Sequence, residues 1–132
     1  MRAELPDVTI ANSQRKRLKR LVATAYSENN RIAPFLSAEL RRAHFCDDAM
    51  LAADIVAAGR QVSYRLAEGQ ATPHRTLVYP EEFSDQNAQI SLLSPIGTAL
   101  LGLRTGDRTH VFLPPNGFHL LEVASVKDWS LS

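Results

Sequence analysis

The sequence predicts an α+β fold: a short N-terminal antiparallel helical hairpin (a small coiled coil), followed by a twisted antiparallel sheet packed on one helix. Three observations carry this reading. Two stretches near the N-terminus repeat apolar residues at the ~3.6-residue period of a helix with one buried face, and from Arg60 the pattern changes to the alternation of half-buried strands. A third, short helix is specified within Ser94-Pro95-Ile96-Gly97-Thr98-Ala99-Leu100-Leu101-Gly102-Leu103 by a cap, a proline and a closing glycine.

Residues 1–11 carry Val8 and Ile10 but no sustained period, and read as a loose lead-in. The first helix should run from about Asn12 or Ser13 to Tyr26. Leu18, Leu21, Val22 and Ala25 form its apolar stripe, and Arg15, Lys16, Lys19 and Arg20 cover the rest. Ser27-Glu28-Asn29-Asn30 is a polar turn. The second helix follows from about Ala33 to His44, with Ile32, Leu36, Leu40 and Ala43 as its seam and Pro34 tolerable in the first turn. Neither stripe can be buried alone, so the helices should bury each other as an arm, residues 1–46.

Residues 47–132 then form the body. A linker holding Met50 and Ile55 leads to a strand in which Val62, Tyr64 and Leu66 alternate with polar residues, turning at Glu68-Gly69. A return strand from His74 to Tyr79 is stopped by Pro80, and residues 81–87 form a polar loop. Residues 90–93 are a third strand, feeding the short helix. There Ser94 is the N-cap, Pro95 occupies the first helical position, and Ile96, Leu100 and Leu103 form a stripe that must lie on the sheet. Residues 109–113 and 118–126 are the last two strands, joined across Pro114-Pro115-Asn116-Gly117, and Trp129 belongs to a loose tail.

The 132 residues are 45% hydrophobic and 22% charged, the balance of a globular chain, and no apolar run approaches the ~20 residues needed to span a bilayer. A single cysteine, Cys46, excludes an internal disulfide framework, and with a polar N-terminus interrupted by Pro6 the expected compartment is the cytoplasm. The net charge of +1 conceals a split: residues 1–45 hold nine Lys/Arg against four Asp/Glu, and residues 46–132 hold six against ten. A basic arm on an acidic body could approach nucleic acid or an acidic protein groove arm-first, or the charges could simply cover solvated faces.

The run Ile90-Ser91-…-Ser94-Pro95-Ile96-Gly97-…-Ala99-Leu100-Leu101-Gly102-Leu103, with Gly106-Asp107 after it, resembles the C-terminal domain of the Gre-type bacterial transcript-cleavage factors. Arg75-Thr76-Leu77-Val78-Tyr79-Pro80 and Glu39-Leu40-…-Arg42-Ala43-…-Cys46 are more similar to one branch of that superfamily, the Rnk proteins, named regulators of nucleoside diphosphate kinase. The resemblance runs in order from about Ser13 to Val126. It implies an FKBP-like body, RNA polymerase as partner with nucleic acid inside that complex, and docking near the secondary channel where nucleotides enter. The loop around Asp85 and the helix start Ser94, Pro95 and Ile96 match its most recognisable positions and are the expected contacts, although a capped helix start needs Ser94 and Pro95 for folding alone.

Gre factors carry acidic residues at the tip of a long arm to help hold a catalytic magnesium, and a hard cation needs carboxylates presented together. The tip here, Glu28, Asn29 and Asn30, offers one carboxylate on a shorter arm. Competition with cleavage factors, without stimulated transcript cleavage, is therefore the expected role. The alternative is a partner of nucleoside diphosphate kinase or of nucleotide metabolism, direct or indirect. The basic face Arg15, Lys16, Lys19 and Arg20 could track phosphate or an acidic polymerase surface, yet no aromatic residue is interleaved for base stacking.

No active site is expected, and no cofactor. His44, His74, His110 and His119 lack metal-ligand spacing, and Cys46 lacks a signature histidine and reads as packed at the hairpin base. There is no phosphate-cradling glycine loop. Prolyl isomerases occur among FKBP-like folds, but Tyr64, Tyr79, Phe83, Phe112, Phe118 and Trp129 are accounted for as core or surface residues.

Overall fold

A computed structural model describes residues 5–115 and 117–128; Asn116 of the expected turn and the Trp129 tail lie outside them. The lead-in is more ordered than its sequence predicts. Thr9–Ala11 form a strand, β1, that pairs in parallel with β2, His44–Cys46, in the register Thr9–His44, Ile10–Phe45 and Ala11–Cys46. Between them stand α1, Arg15–Ser27, entered through a 3-10 turn at Asn12–Gln14, and α2, Ala33–Arg42. The second helix ends two residues before the expected His44. Ala43 swings to extended backbone (φ −73°, ψ 145°), and the His44 N–H donates to the Val8 carbonyl at 2.8 Å. The strand pairing competes with the last helical turn and wins.

The turn between the helices is a Schellman exit. Asn29 takes the left-handed conformation (φ 54°), its N–H donates to Tyr26 O, and the Asn30 N–H reaches back to Ala25 O. The Asn30 side chain then accepts from the Ile32 N–H at 2.8 Å, starting the next helix.

The larger sheet contains β3 (Gln61–Leu66), β4 (Arg75–Val78), β5 (Gln89–Ser91), β6 (Arg108–Leu113) and β7 (Gly117–Lys127), in the order β5-β4-β3-β7-β6. The expected all-antiparallel sheet is corrected at one edge: β5 runs parallel to β4, with Leu77 opposite Ile90. Pro80 stops β4 and opens a 3-10 turn, Pro80–Glu82, and the segment 83–88 returns the chain to the starting end of β4. The remaining pairs are antiparallel, and between Ser63–Ser125 and Tyr64–Val123 the pairing skips Ala124, a bulge that bends β7.

Helix α3, Pro95–Leu100, lies against β6, and one core runs through arm and body. Val8, Leu18 and Leu36 share it with Val62, Leu77, Leu92, Leu100, Leu103, Leu121 and Val123. Gly102 marks the closest passage. Its φ is +82°, and a Cβ there would lie 2.5 Å from Val8 Cγ1 and 2.9 Å from Thr9 N, so only glycine lets β1 pass.

Candidate functional site

The start of α3 is the best-defined piece of the expected contact surface. Ser94 has extended backbone, its Oγ accepts from the Gly97 N–H at 2.9 Å, and the same hydroxyl donates to Ser91 O at 2.7 Å. Pro95 sits at the first helical position, where its missing N–H leaves no gap. Thr98 anchors the next turn by donating to Leu92 O at 2.7 Å. The outer side of this helix start opens into an apolar groove of about 350 Å³. Pro95 and Ala99 form its floor with Val111, Phe35 comes from α2, and Phe112 and Phe118 close the far end in an edge-to-face pair 5.3 Å apart. Phe35 is 60% exposed and Phe118 73%, so the groove is an unusually greasy opening for so small a chain. Arg31 and His110 stand at its rim, as does Glu39, whose carboxyl burial pushes up while Arg42 pulls it back.

Asp85 does not join this cluster. It lies in the exposed loop before β5, whereas Ser94 follows β5, so a strand separates them. Asp85 Oδ1 accepts from the Asn87 N–H at 2.9 Å, and Gln89 Oε1 accepts from the Ser84 and Asp85 N–H groups. These bonds hold the loop in shape and leave its outer surface open.

The arm tip presents Glu28 alone as a carboxylate, with Asn29 and Asn30 engaged in the turn. No group of three or more His, Cys, Asp or Glu able to hold a metal occurs among the described residues. No helix of the described residues is long and apolar enough to cross a membrane.

The basic stretch on α1 divides by direction. Lys16 and Arg20 are exposed. Arg15 and Lys19 face a second groove, toward α2, with the Arg15 guanidinium 4.5 Å from the Phe45 ring centroid. Arg17, inside the same basic run, turns instead to the body. It stacks 3.6 Å over the Tyr79 ring and pairs with Glu81 at 3.0 Å and Glu82 at 3.7 Å, while the Tyr79 hydroxyl donates to Gln14. This latch fixes the root of the arm against the sheet.

Burial pushes the Tyr79 hydroxyl from 10.0 up to about 12; Arg17 opposes that rise, and Glu81 and Glu82 add to it. Because the folded value is the higher, the neutral phenol's contribution to stability is complete below pH 10.0 and fades as pH rises toward about 12. Tyr79→Phe is therefore expected to flatten the alkaline decline in urea-unfolding midpoint relative to the parent. Equal declines in both proteins would show that the latch does not titrate with Tyr79.

The family model for "Transcription elongation factor, GreA/GreB, C-term" matches residues 51–128, the whole larger sheet with α3. The regulator of nucleoside diphosphate kinase of Escherichia coli (strain K12) is 42% identical over 97 residues, covering 73% of this chain and 71% of that protein. Transcription elongation factor GreA of Thermodesulfovibrio yellowstonii is 31% identical over 91 residues, covering 69% of this chain and 57% of that protein, so the chain spans little more than half of GreA. Among solved structures, a prokaryotic transcription elongation factor GreA/GreB from Nitrosomonas europaea superposes with a TM-score of 0.73 at 31% identity, covering 92% of this chain and 98% of that one. The chain belongs to the GreA/GreB family of transcription elongation factors, and over about three quarters of its length it is also similar to a regulator of nucleoside diphosphate kinase.

Proposed function

We propose that this protein is an RNA polymerase-binding transcription regulator. In this reading the FKBP-like body, residues 47–132, docks near the secondary channel, and the arm, residues 1–46, points toward it as an antiparallel hairpin. The protein occupies that site in competition with longer-armed cleavage factors and stimulates no transcript cleavage. The observation that carries the reading is the Pro95 groove: an open apolar surface built on the family's own helix start and lined by exposed aromatic rings. The single carboxylate at the tip supports the absence of cleavage, since one exposed Glu28 gives a divalent cation too few oxygens.

The test is binding of the full chain to RNA polymerase core enzyme. Saturable binding is expected, weakened about tenfold by Pro95→Ala, and less by Asp85→Ala, with thermal unfolding of both variants close to the parent. Stalled elongation complexes should show no added cleavage. Failure to bind at low salt would overturn the reading. The 42% identity to a protein named for nucleoside diphosphate kinase favours a second reading, in which that kinase is the direct partner. Kinase binding in the same assay, without polymerase binding, would select it.

A further inference from the structure

We propose that the groove between α1 and α2 at the base of the arm binds a nucleoside polyphosphate. This site is separate from the Pro95 groove and does not rest on polymerase docking. It is a depression of about 400 Å³, within the range of pockets that take one small ligand. Val22, Leu40 and Ala43 give it an apolar floor, and Phe45 of β2 forms a wall. Three cations surround that floor: Arg15 and Lys19, one turn apart on α1, and Arg41 at the end of α2.

No carboxylate lines the groove, and none of the described carboxylates lies within ion-pair distance of these three cations. The acids near in sequence are already committed. Glu39 is held by Arg42 at 2.9 Å, Asp47 accepts from Asn12, and Asp48 accepts from the Ser13 N–H. Three like charges around one depression repel each other unless a polyanion neutralises them.

The apolar parts decide what kind of polyanion fits. Inorganic phosphate would satisfy the cations and leave the floor and ring wet. A flat heterocycle covers the floor and extends the stack that Arg15 already makes on Phe45, because bases stack on both guanidinium planes and aromatic rings. The phosphates then reach Lys19 and Arg41, with the Ser37 hydroxyl available as a further donor. A nucleoside triphosphate supplies base and charge together.

The experiment is calorimetric titration of the full chain, near 0.1 M salt, where exposed charges are screened over about 10 Å. The probes are ATP, inorganic tripolyphosphate, adenosine and a single-stranded oligonucleotide. Saturable one-site binding of ATP is expected, with tripolyphosphate several-fold weaker and adenosine weaker still. The double variant Lys19→Gln/Arg41→Gln should lower ATP affinity about tenfold or more, since each lost charge-assisted contact counts strongly. Both residues are exposed, so its thermal unfolding should match the parent. Absent ATP binding, tripolyphosphate binding equal to ATP, or ATP binding indifferent to the double variant would each overturn the proposal. So would an oligonucleotide that displaces ATP and binds more tightly, which would make the groove part of a nucleic-acid track.

Discussion

Gly97→Ala is expected to destabilise the protein by about 3 kcal/mol, a large loss for a single added methyl. The reason is position, not propensity, since alanine in a helix interior is ordinarily favoured over glycine by about 1 kcal/mol. A Cβ on Gly97 would stand 2.0 Å from Ser91 O, 2.9 Å from Ser91 C and 3.0 Å from Ser94 Oγ. The first two are backbone atoms. The Ser91 carbonyl is also pinned, accepting from the Ser94 N–H at 3.0 Å and the Ser94 hydroxyl at 2.7 Å. Relief therefore requires α3 to lift from the end of β5, which uncovers Leu100 and breaks the cap together. Urea unfolding should show a lower midpoint with an unchanged slope. A midpoint equivalent to less than about 0.5 kcal/mol would mean that α3 is free to shift, and that the close approach is not what keeps glycine there.

That close approach shows how far the sequence could be read. The cap, the proline and the closing glycine of α3 are local signals, and each appears where its residues predict: Ser94 as N-cap, Pro95 first in the helix, Gly102 at positive φ. The amphipathic stripes likewise give α1 and α2, because Leu18 and Ala25 share the buried face of α1 and Leu36 is buried on α2. What escaped is non-local. Residues 9–11 look like lead-in because a three-residue strand has no period of its own; it exists through β2 and through the space that Gly102 leaves. The parallel placement of β5 depends on how the loop from Pro80 to Ala88 travels, which no alternation pattern records. The Pro95 groove is assembled from α2, α3, β6 and β7, so Phe35, Phe112 and Phe118 are unremarkable singly and informative only together. Arg17 reads in sequence only as one of a basic run, since its partners Tyr79, Glu81 and Glu82 lie more than sixty residues away.

Arg60→Ala is expected to cost still more, about 3–5 kcal/mol, because it removes one member of a buried ion pair and takes the guanidinium donor from the Ala52 and Ile55 carbonyls. Arg60 is only 9% exposed, at the point where the chain enters β3. Its Nε meets Asp128 Oδ2 at 3.1 Å, and its Nη1 donates to Ala52 O at 2.7 Å and Ile55 O at 2.8 Å. One side chain thus fastens the linker after the arm, the first strand of the larger sheet and the end of β7. Sequence alone marks Arg60 only as the residue where the period changes. Asp128→Ala should cost less, about 1–2 kcal/mol, since the two carbonyls still satisfy part of the guanidinium. In a double-mutant cycle the two losses should fall well short of adding, because Arg60→Ala already removes the charge that Asp128 answers. Strict additivity would mean that the pair contributes nothing as a pair, leaving the carbonyl contacts to hold the linker. Hydrogen exchange separates these outcomes: loss of protection in Arg60→Ala should spread to the Ile55 and Val56 amides, not stay at the end of β7, because the guanidinium closes the linker against the sheet.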